Sequence, residues 1–485
     1  MNKILLFGCL FFISANAYSQ QFSQYNTGTL YDSFENPSQR SFIPDSSRQF
    51  ASNFLLPNFN ANLNFSGDAQ TALKTRIFAD AYDASAIPVG AGKYNYLQGN
   101  TSTYWLMFKM FTNLQGSREI GFFAKTSAET RGIISNESIA IFNGFDKFPN
   151  NNYTDIFNNR FSYQAYHQIG MSFREQVTPK LAIGVKIGVL SGIDYQKFSF
   201  YNSRIDFDRP NNQAYLTLSG VNYSAGLDAR TTIVENLGLD FRNPGIAFSI
   251  GASYKTDDAY KLQFNIKDLG FIHWSNKWSK VSYFDSGIAP IFLTSNLADE
   301  KSVSDAVGYI ANYSAAQVTR GFYFPINGIF EASINKDYWL NYNQTLKFSP
   351  TAIIAKEIFH PGFTAAVVAP VQYDKYVLTI TPSYNDLRLL RIGAQFMIKT
   401  PDTDFYIGSD ALYQTISFTN EAIQSGIYTP GKTGRFTGAN FFIGLTLKFG
   451  NIIEHPMNAS HIPMSEKGFF GRMYDKIFKK DGYYR

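Results

Sequence analysis

The sequence contains a single cysteine, and this scarcity limits the chemistry available to the chain. Cys9 stands within an apolar run near the N-terminus, in a segment that we expect to be absent from the mature chain. A mature chain without cysteine forms neither disulfides nor thiolate metal sites. Its stability must therefore come from backbone pairing and side-chain packing.

Charge is also scarce. Charged residues make up 17% of the chain, whereas soluble proteins carry about 25%. The formal net charge is +5, and the last twenty residues hold six basic and three acidic side chains. Most of the excess therefore lies in the tail. The rest of the chain is nearly neutral, which argues against nucleic acid as a partner of the body.

Long hydrophobic runs are absent as well. Beyond residue 20 no stretch approaches the roughly eighteen consecutive apolar residues of a membrane-spanning helix. Aromatic residues nevertheless make up 17% of the chain, and the mean hydropathy is −0.18. This combination is typical of a transmembrane β-barrel, in which lipid-facing apolar residues alternate with polar residues that face the lumen.

The N-terminus carries an export pattern. Lys3 precedes an apolar run over residues 4–13, and small residues at 15–17 or 17–19 offer a cleavage site. This pattern predicts a secretory signal peptide over residues 1–20. The alternative is a membrane anchor, but the apolar run is only about half as long as a spanning helix requires.

Apolar and polar residues alternate along most of the chain. In residues 260–267 every even position is apolar and every odd position is polar, and residues 390–399 continue the same pattern. A two-residue period predicts strands with one apolar and one polar face. The pattern predicts about sixteen strands, with fourteen as the alternative. They cover residues 52–66, 101–112, 119–129, 161–174, 180–191, 195–206, 213–224, 245–254, 259–267, 327–336, 345–356, 362–369, 373–382, 391–399, 404–412 and 437–449.

Short polar breaks, such as residues 255–258 and 400–403, alternate with far longer connections. This asymmetry predicts an all-β fold, a transmembrane antiparallel β-barrel of about 14 to 16 strands with short periplasmic turns and long extracellular loops. Both ends of the barrel then lie on the periplasmic side. The predicted parts are a signal peptide (1–20), a periplasmic N-terminal segment (21–51), an outer-membrane barrel (52–449) and a periplasmic basic tail (450–485).

The last predicted strand resembles the signal read by the outer-membrane insertion machinery. Gly444, Leu447 and Phe449 fit its pattern of a glycine, an apolar residue and a final aromatic residue. Phe442 departs from it, because a polar residue usually stands there. The alternative is an ordinary amphipathic strand that happens to end in phenylalanine. Together with the leader, the pattern favours insertion into the outer membrane.

Two segments are candidates for partner binding. The excursion between Asp268 and Pro325 contains Trp274, Trp278 and a helical pattern over residues 299–313. It is either a cap that receives a ligand or partner, or a helix that shields the barrel rim. In the tail an apolar stripe with a basic edge could bind a periplasmic partner or the inner leaflet, or belong to a disordered end. The stripe comprises Phe469, Phe470, Met473 and Ile477, and the edge Arg472, Lys476, Lys479 and Lys480.

Signs of catalysis are few. No two of the five histidines have the spacing of a helical metal pair, and the chain lacks a Gly-x-Ser-x-Gly elbow, a phosphate-binding glycine loop and a dinucleotide fingerprint. We therefore predict no catalytic, cofactor or metal site and no enzyme activity. A hydrolase assembled from neighbouring strands would involve His167 and Ser172, but the parity of His167 places it on the lipid-facing side. The lysines and arginine at 186, 261, 267, 391 and 399 are predicted to face the lumen.

Several motifs resemble those of a group of Bacteroidota-type outer-membrane barrels. They are Gly-Leu-Asp-Phe-Arg-Asn-Pro-Gly at 238–245, Ile-Gly-Ala-Ser-Tyr-Lys at 250–255, Asn-Ile-Lys-Asp-Leu-Gly-Phe-Ile-His-Trp at 265–274 and Glu-Asn-Pro-Ser at 35–38. The resemblance covers roughly residues 22–450. In plan this group is similar to the fourteen-stranded barrels related to FadL and PorV. The resemblance implies a role in carrying hydrophobic solutes or in secretion machinery, and it implies no catalytic residues.

These observations lead to two functional hypotheses. The first is a non-enzymatic accessory or scaffold subunit of an envelope assembly or secretion complex, because the insertions are large and no substrate site is readable. Its partners would be other envelope proteins, outer-membrane lipid and the barrel-insertion machinery. The alternative is an outer-membrane channel or transporter for hydrophobic or small polar solutes, as the FadL-like plan implies.

Overall fold

The computed structural model describes residues 22–42, 48–79, 83, 85–113, 116–226, 241–293, 297–312, 317–360, 362–385, 389–423, 436–452 and 468–478. The predicted signal peptide lies outside these residues. The strands are β1 Arg48–Ser52, β2 Asn58–Ser66, β3 Tyr94–Phe111, β4 Arg118–Ser135, β5 Asn152–Thr154, β6 Arg160–Gln176, β7 Leu181–Asp208, β8 Gln213–Ala225, β9 Pro244–Lys255, β10 Lys261–Trp274, β11 Ser279–Phe292, β12 Gln317–Thr319, β13 Phe322–Pro325, β14 Ile329–Asn335, β15 Tyr338–Trp339, β16 Leu346–Phe348, β17 Thr351–Glu357, β18 Phe363–Tyr373, β19 Tyr376–Asn385, β20 Leu390–Lys399, β21 Thr403–Ser409 and β22 Phe436–Ile452.

The helices are α1 Leu30–Glu35, α2 Gln70–Ala79, α3 Asn136–Ala140, α4 Leu297–Asn312, α5 Leu412–Ile423 and α6 Phe469–Phe478, with short 3-10 turns at Phe22–Gln24, Ile141–Lys147 and Arg209–Asn211. Among the described residues, no helix is both long and apolar enough to cross a membrane.

The strands close into a fourteen-stranded antiparallel barrel. β22 completes the ring by pairing with the first strand, which is formed by β1 and β2 together, as at Phe59 opposite Ile443. β13 and β14 likewise share one place in the wall beside β10. The order around the wall is β1 with β2, β3, β4, β6, β7, β9, β10, β13 with β14, β17, β18, β19, β20, β21 and β22.

Each wall strand alternates between an apolar outer face and a buried inner face. In β19, Leu378 and Ile380 are 56% and 52% exposed, whereas the alternate residues Thr379 and Thr381 are buried. Apolar side chains cover the outside of the ring, and only lipid removes such a surface from water. The predicted transmembrane β-barrel is therefore confirmed.

The connections divide into two kinds, as predicted. Tight turns at 112–117, 177–180, 256–260, 374–375 and 400–402 lie on the same side as the two ends of the barrel. The opposite side carries the long connections, which include α2, α3, α4 and α5, as well as short ones between β17 and β18 and between β19 and β20. On the tight-turn side the connection from β14 to β17 is longer and contains β15 and β16. Short turns on the periplasmic side and long loops outside are the usual arrangement of a bacterial barrel.

The sixteen-strand count is wrong, and the fourteen-strand alternative is right. Residues 180–191 and 195–206 belong to one strand, β7, which extends beyond the barrel. A bulge at Ile193 changes which residues face inward. The alternation of apolar and polar residues is therefore interrupted there, as it would be between two strands. The predicted strand at 213–224 is β8, which pairs with the extension of β7 and with β11. The pattern missed β11 altogether.

The extension of β7, together with β8 and β11, forms a cap with the helices on the long-loop side. Its apolar core includes Phe200, Leu216 and Phe284 from the strands and Ile310 from α4. Ile310 contacts Gly287 of β11, so the predicted helix at 299–313 packs on the cap sheet. Lys74 of α2 and Glu421 of α5 form an ion pair of 2.8 Å within the cap.

Residues 22–42 lie inside the barrel, and we call them the plug. Their side chains and backbone contact inward-facing residues of the wall, for example Ser23 Oγ at 3.0 Å from Thr381 Oγ1 and Arg174 Nε at 2.9 Å from the Ser38 carbonyl oxygen. The interpretation of 21–51 as a segment outside the barrel therefore fails for these residues. The barrel wall itself begins at Arg48 and ends at Ile452, a few residues beyond the predicted bounds of 52 and 449.

Candidate functional site

The plug has a small apolar core of its own. Thr29 caps the short helix α1 by accepting a hydrogen bond from the backbone N–H of Asp32. The helix then buries Leu30, Tyr31 and Phe34 against aromatic residues of the wall. The wall residues of this cluster include Tyr104, Met107, Phe123, Met397, Tyr406 and Phe442. Phe442, which departs from the insertion signal, therefore faces inward and packs beneath the plug.

A buried ionic network fixes the plug to the wall. Glu35 of the plug lies 2.8 Å from the ammonium of Lys267, which also reaches Glu331 at 3.2 Å. The Tyr104 hydroxyl donates to Glu35 at 2.7 Å, and Lys125 lies 3.9 Å away. Because each ion has an opposite partner, the desolvation of these charges is offset inside the lumen.

A bulge in β10 supplies a third carboxylate to this network. Asp268 has a φ of 50°, and the pairing with β9 shifts between Ile266 and Leu269. The extra residue lets Lys267 and Asp268 both face the lumen. Asp268 then lies 3.1 Å from Lys186 and 3.4 Å from Lys125. Lys186 and Lys267, which the sequence placed in the lumen, are thus paired with acids and do not form an anion-favouring interior.

The other predicted lumen lysines hold the beginning of the plug. The Lys261 ammonium donates to Asn26 Oδ1 at 3.0 Å, and Lys399 donates to the carbonyl of Thr27. Near the end of the plug, Glu119 accepts from the backbone N–H of Ser41 at 3.2 Å and pairs with Lys109 at 3.3 Å. The plug is therefore held along its whole length by polar contacts.

Above the plug, on the side toward the cap, the lumen narrows to a small pocket of about 30 Å³. This luminal pocket is lined by Glu129, Thr130, Arg131, Ser162, Tyr163, Gln164, Tyr195, Phe324, Pro325 and His360. The volume matches about one water molecule. Arg131 is held across the pocket by Glu357 at 2.7 Å.

One wall of the luminal pocket is aromatic. Tyr195 lies 4.8 Å from Phe324 and 5.3 Å from Trp274 between ring centroids. Within the described part of the chain, no hydrogen-bond partner lies beside the Tyr195 hydroxyl, Gln164 Nε2 or Trp274 Nε1, although all three side chains are buried. Buried polar atoms are normally paired with protein or ordered water, so the two of these groups that line the pocket, on Tyr195 and Gln164, are its candidate ligand contacts.

His360 occupies the rim of the luminal pocket, in the connection after β17. Burial, and to a smaller extent the nearby charge of Arg131, lower the pKa of His360 to about 4. The imidazole is therefore neutral near pH 7 and presents one nitrogen as an acceptor. The luminal pocket thus combines aromatic faces, unpaired donors and a neutral histidine.

The two tryptophans chosen from the sequence have different surroundings. Trp274 is fully buried, faces the lumen at the end of β10 and belongs to the aromatic wall. Trp278 lies in the turn before β11 and is 40% exposed, with Arg242 4.7 Å and Lys277 5.3 Å from its ring centroid. Neither tryptophan lines the luminal pocket itself, and Trp274 is connected to it through its ring contact with Tyr195. The role of Trp278 in binding a partner remains a prediction.

The closing-strand residues lie in the last part of β22, which continues to Ile452. Gly444 faces inward, where a Cβ atom would lie 2.4 Å from the Tyr406 ring. Leu447 and Phe449 share the outer face, and Phe449 stacks on Phe50 at 5.5 Å. Their recognition by the insertion machinery remains a prediction.

The tail stripe lies on a helix, α6. Phe470 packs on Phe173 of β6 at 5.9 Å, on the outer face of the wall. Phe469, Met473 and Ile477 are exposed. Lys479 and Lys480 lie outside the described residues. The binding of a partner or of lipid by the stripe remains a prediction.

The one candidate for a hydrolase site is not assembled. His167 Nδ1 lies 2.8 Å from Thr126 Oγ1 on the outer face, whereas Ser172 faces the lumen. The described residues also contain no group of three or more His, Cys, Asp and Glu side chains arranged to hold a metal.

The fold and the plug together define a class, the transmembrane β-barrels with a lumen closed by their own N-terminal segment. Within that class the chain belongs to a family of unknown function, DUF5723, whose model matches residues 41–410. No curated protein matches the sequence.

Solved structures similar to this chain include FadL-type outer-membrane barrels. The Pseudomonas putida toluene transporter TodX has 11% identity and a TM-score of 0.39, with 86% of this chain and 94% of that chain covered. The Ralstonia pickettii toluene transporter TbuX has 10% identity and a TM-score of 0.36, with 83% and 90% covered. A Pseudomonas aeruginosa FadL homologue has 10% identity and a TM-score of 0.38, with 83% and 90% covered.

Proposed function

We propose that this protein is an outer-membrane transporter for a small hydrophobic or weakly polar solute, exported by its leader and closed by its plug in the state described. The observation that carries this proposal is the luminal pocket. It lies on the cap side of the plug and combines an aromatic wall with unpaired buried polar groups on Tyr195 and Gln164. A lumen filled only for stability would pair such groups or replace them by apolar side chains.

Movement of the plug would break both polar and apolar contacts. Glu35, Lys267 and Ser41 would exchange their protein partners for water, so those groups would remain satisfied in the open state. Leu30, Tyr31 and Phe34 would lose their packing against the wall, which water does not replace. The polar contacts thus permit movement of the plug, and the apolar cluster favours its closed position.

The pocket chemistry points to the class of solute. Tyr163, Tyr195 and Phe324 line the pocket with aromatic rings, which favour a flat apolar body. The Tyr195 hydroxyl and Gln164 amide offer donors, which favour a carbonyl, ether or hydroxyl group on that body. Because the pocket in this state holds about 30 Å³, the solute enters only when the plug or cap moves.

Conductance in planar bilayers tests the plug. Glu35→Lys places a cation beside Lys267 and Lys125, and like charges in the lumen repel each other. We expect the purified variant to conduct ions at least tenfold more than the wild type. The matched control is Asp402→Lys, which reverses a charge in the exposed Arg48–Asp402 pair and should leave conductance unchanged. A folded Glu35→Lys barrel that stays closed contradicts a mobile plug.

One specific observation supports the scaffold hypothesis. The plug fills the lumen, and the cap covers it. A purely structural subunit needs no solute path. Gentle-detergent purification from native membranes separates the two proposals. A stoichiometric protein companion, together with unchanged uptake of small aromatic alcohols after deletion, favours the scaffold. A solitary barrel whose loss reduces that uptake favours the transporter.

A further inference from the structure

The helix α6 presents three different faces. The first face holds the helix to the barrel. The backbone N–H groups of Phe470 and Gly471 donate to the carboxylate of Glu175 at 3.1 and 3.2 Å, and Phe470 packs on Phe173. A Cβ atom on Gly468 would lie 2.2 Å from that carboxylate, so glycine permits the close approach. The start of α6 is therefore fixed on the outer wall of β6.

The second face is an exposed apolar stripe. Phe469, Met473 and Ile477 follow each other at intervals of four residues, which places them on one side of a helix. Their exposed fractions are 64%, 43% and 63%. Three large apolar side chains in one exposed row are unusual on a surface that contacts only water.

The third face is basic. Arg472 and Lys476 are both exposed. Arg472 directly precedes Met473 and Lys476 directly precedes Ile477, so the two basic residues flank the stripe along the helix. Long basic side chains extend their charged ends from an apolar boundary toward headgroups. An apolar stripe with a basic flank is the pattern of a helix that lies in a membrane interface.

The attachment point decides which surface the stripe meets. Phe173 shares the outer face of β6 with Ile169 and Met171, which are 37% and 52% exposed and belong to the lipid-facing surface. It stands near the end of β6 that leads into the tight turn at 177–180. The apolar stripe therefore continues the lipid-facing surface of the wall at its periplasmic edge.

We propose that α6 is an interfacial anchor that lies in the periplasmic leaflet of the membrane around the barrel. Phe469, Met473 and Ile477 enter the acyl boundary, and Arg472 and Lys476 bind the phosphates of anionic phospholipids. This assignment is independent of the solute and of the plug. A lipid surface fits better than a protein partner because the stripe adjoins a wall that lipid already covers.

The full-length protein in nanodiscs with anionic phosphatidylglycerol tests the proposal. Cys9, the only cysteine, lies in the predicted leader, so single cysteines can carry nitroxide labels, with the labelled wild type as background. We expect labels at Phe469→Cys, Met473→Cys and Ile477→Cys to collide with oxygen and to be shielded from an aqueous nickel chelate. The matched controls Arg472→Cys and Lys476→Cys should show the reverse preference.

Two outcomes overturn the anchor. Free access of the nickel chelate to all five positions would show that the stripe lies in water. Labels at the stripe that are shielded from both reagents would show that protein covers it, and a protein partner would replace lipid. Zwitterionic nanodiscs test the basic flank, since the oxygen preference at the stripe should fall at least twofold there. An unchanged preference removes the anionic lipid from the proposal.

Discussion

Tyr195 and Gln164 each bring a buried polar atom to the luminal pocket, where the described structure provides no hydrogen-bond partner for it. An unpaired buried group costs about 1–3 kcal/mol. Residues that lower stability in this way are common at functional sites, where a ligand completes the hydrogen bonds. The unpaired hydroxyl of Tyr195 therefore gives a test that separates function from stability.

Tyr195→Phe removes the hydroxyl and keeps the ring. We expect the folded barrel to gain up to about 1 kcal/mol, measured as a higher midpoint in urea, while uptake of small aromatic alcohols falls several-fold. Tyr223→Phe is the control, because its hydroxyl lies 3.4 Å from that of Tyr283 at an exposed position. Equal changes in both variants would deny Tyr195 a role in binding.

His360 makes the rim of the luminal pocket sensitive to pH. Its pKa in the closed state is lowered to about 4, first by burial and then by Arg131, whereas an exposed histidine has a pKa of about 6.5. The opened rim therefore binds more protons between these values, and the closed rim loses stability as the pH falls through 6.5 toward 4.

We expect hydrogen exchange at residues 358–360 to accelerate as the pH is lowered across that window, after correction for the intrinsic rate. His360→Gln cannot take up the proton and should show no such acceleration. The same pH response in variant and wild type would assign the effect to another group.

At the scale of elements, the cap depends on the contact between α2 and α5. Lys74 and Glu421 form their ion pair with side chains that are only 6% and 16% exposed, and Phe78 packs on Phe418 at 5.3 Å. Loss of one partner from a buried pair costs roughly 3 kcal/mol. The two helices should therefore separate more readily when Lys74 is replaced.

Lys74→Ala is expected to expose α5 to protease added outside intact cells, with cleavage at least tenfold faster than in the wild type. Lys93→Ala removes a comparable pair with Asp68, but that pair is 57% and 35% exposed and is worth less than about 1 kcal/mol. Cleavage rates that rise equally in both variants would contradict the importance of the buried pair.

The elements also show how far the sequence predicts the fold. Alternation located every strand of the wall, because lipid outside and polar groups inside impose a two-residue period. It misassigned β8, since a cap sheet with one buried face produces the same period. It missed the plug, because residues 22–42 follow no regular period and owe their position to the wall.

The site was predictable in part. Lys186, Lys261, Lys267 and Lys399 were correctly placed in the lumen by parity, but their partners were not. Glu35 and Asp268 come from a plug and a bulge, and neither follows the alternation. The wall strands carry more inward-facing lysines than inward-facing acids. This imbalance was the available signal that another segment supplies carboxylates. The tight packing of Trp274 against Tyr195 depends on distant strands and had no local signature.

At the scale of the whole molecule, the two sides of the barrel make an accessible test of orientation. Asp305 lies exposed on α4 in the cap, and Lys375 lies exposed in a tight turn. We expect a membrane-impermeant maleimide to label Asp305→Cys on intact cells and to label Lys375→Cys only after the outer membrane is permeabilised. The opposite pattern would invert the orientation and place the cap in the periplasm.

The position of the plug in the chain has a consequence for assembly. Residues 22–42 precede the first wall strand, and β22 is the last strand to join β1 and β2. The five residues 43–47 join the plug to β1 and span at most about 17 Å, so the plug cannot travel around the finished ring. The plug therefore lies beside the first wall strand from the start of assembly, and its entry into the lumen is the step at which Glu35 and the lysines around it leave bulk water. A barrel assembled in this way encloses the beginning of its own chain.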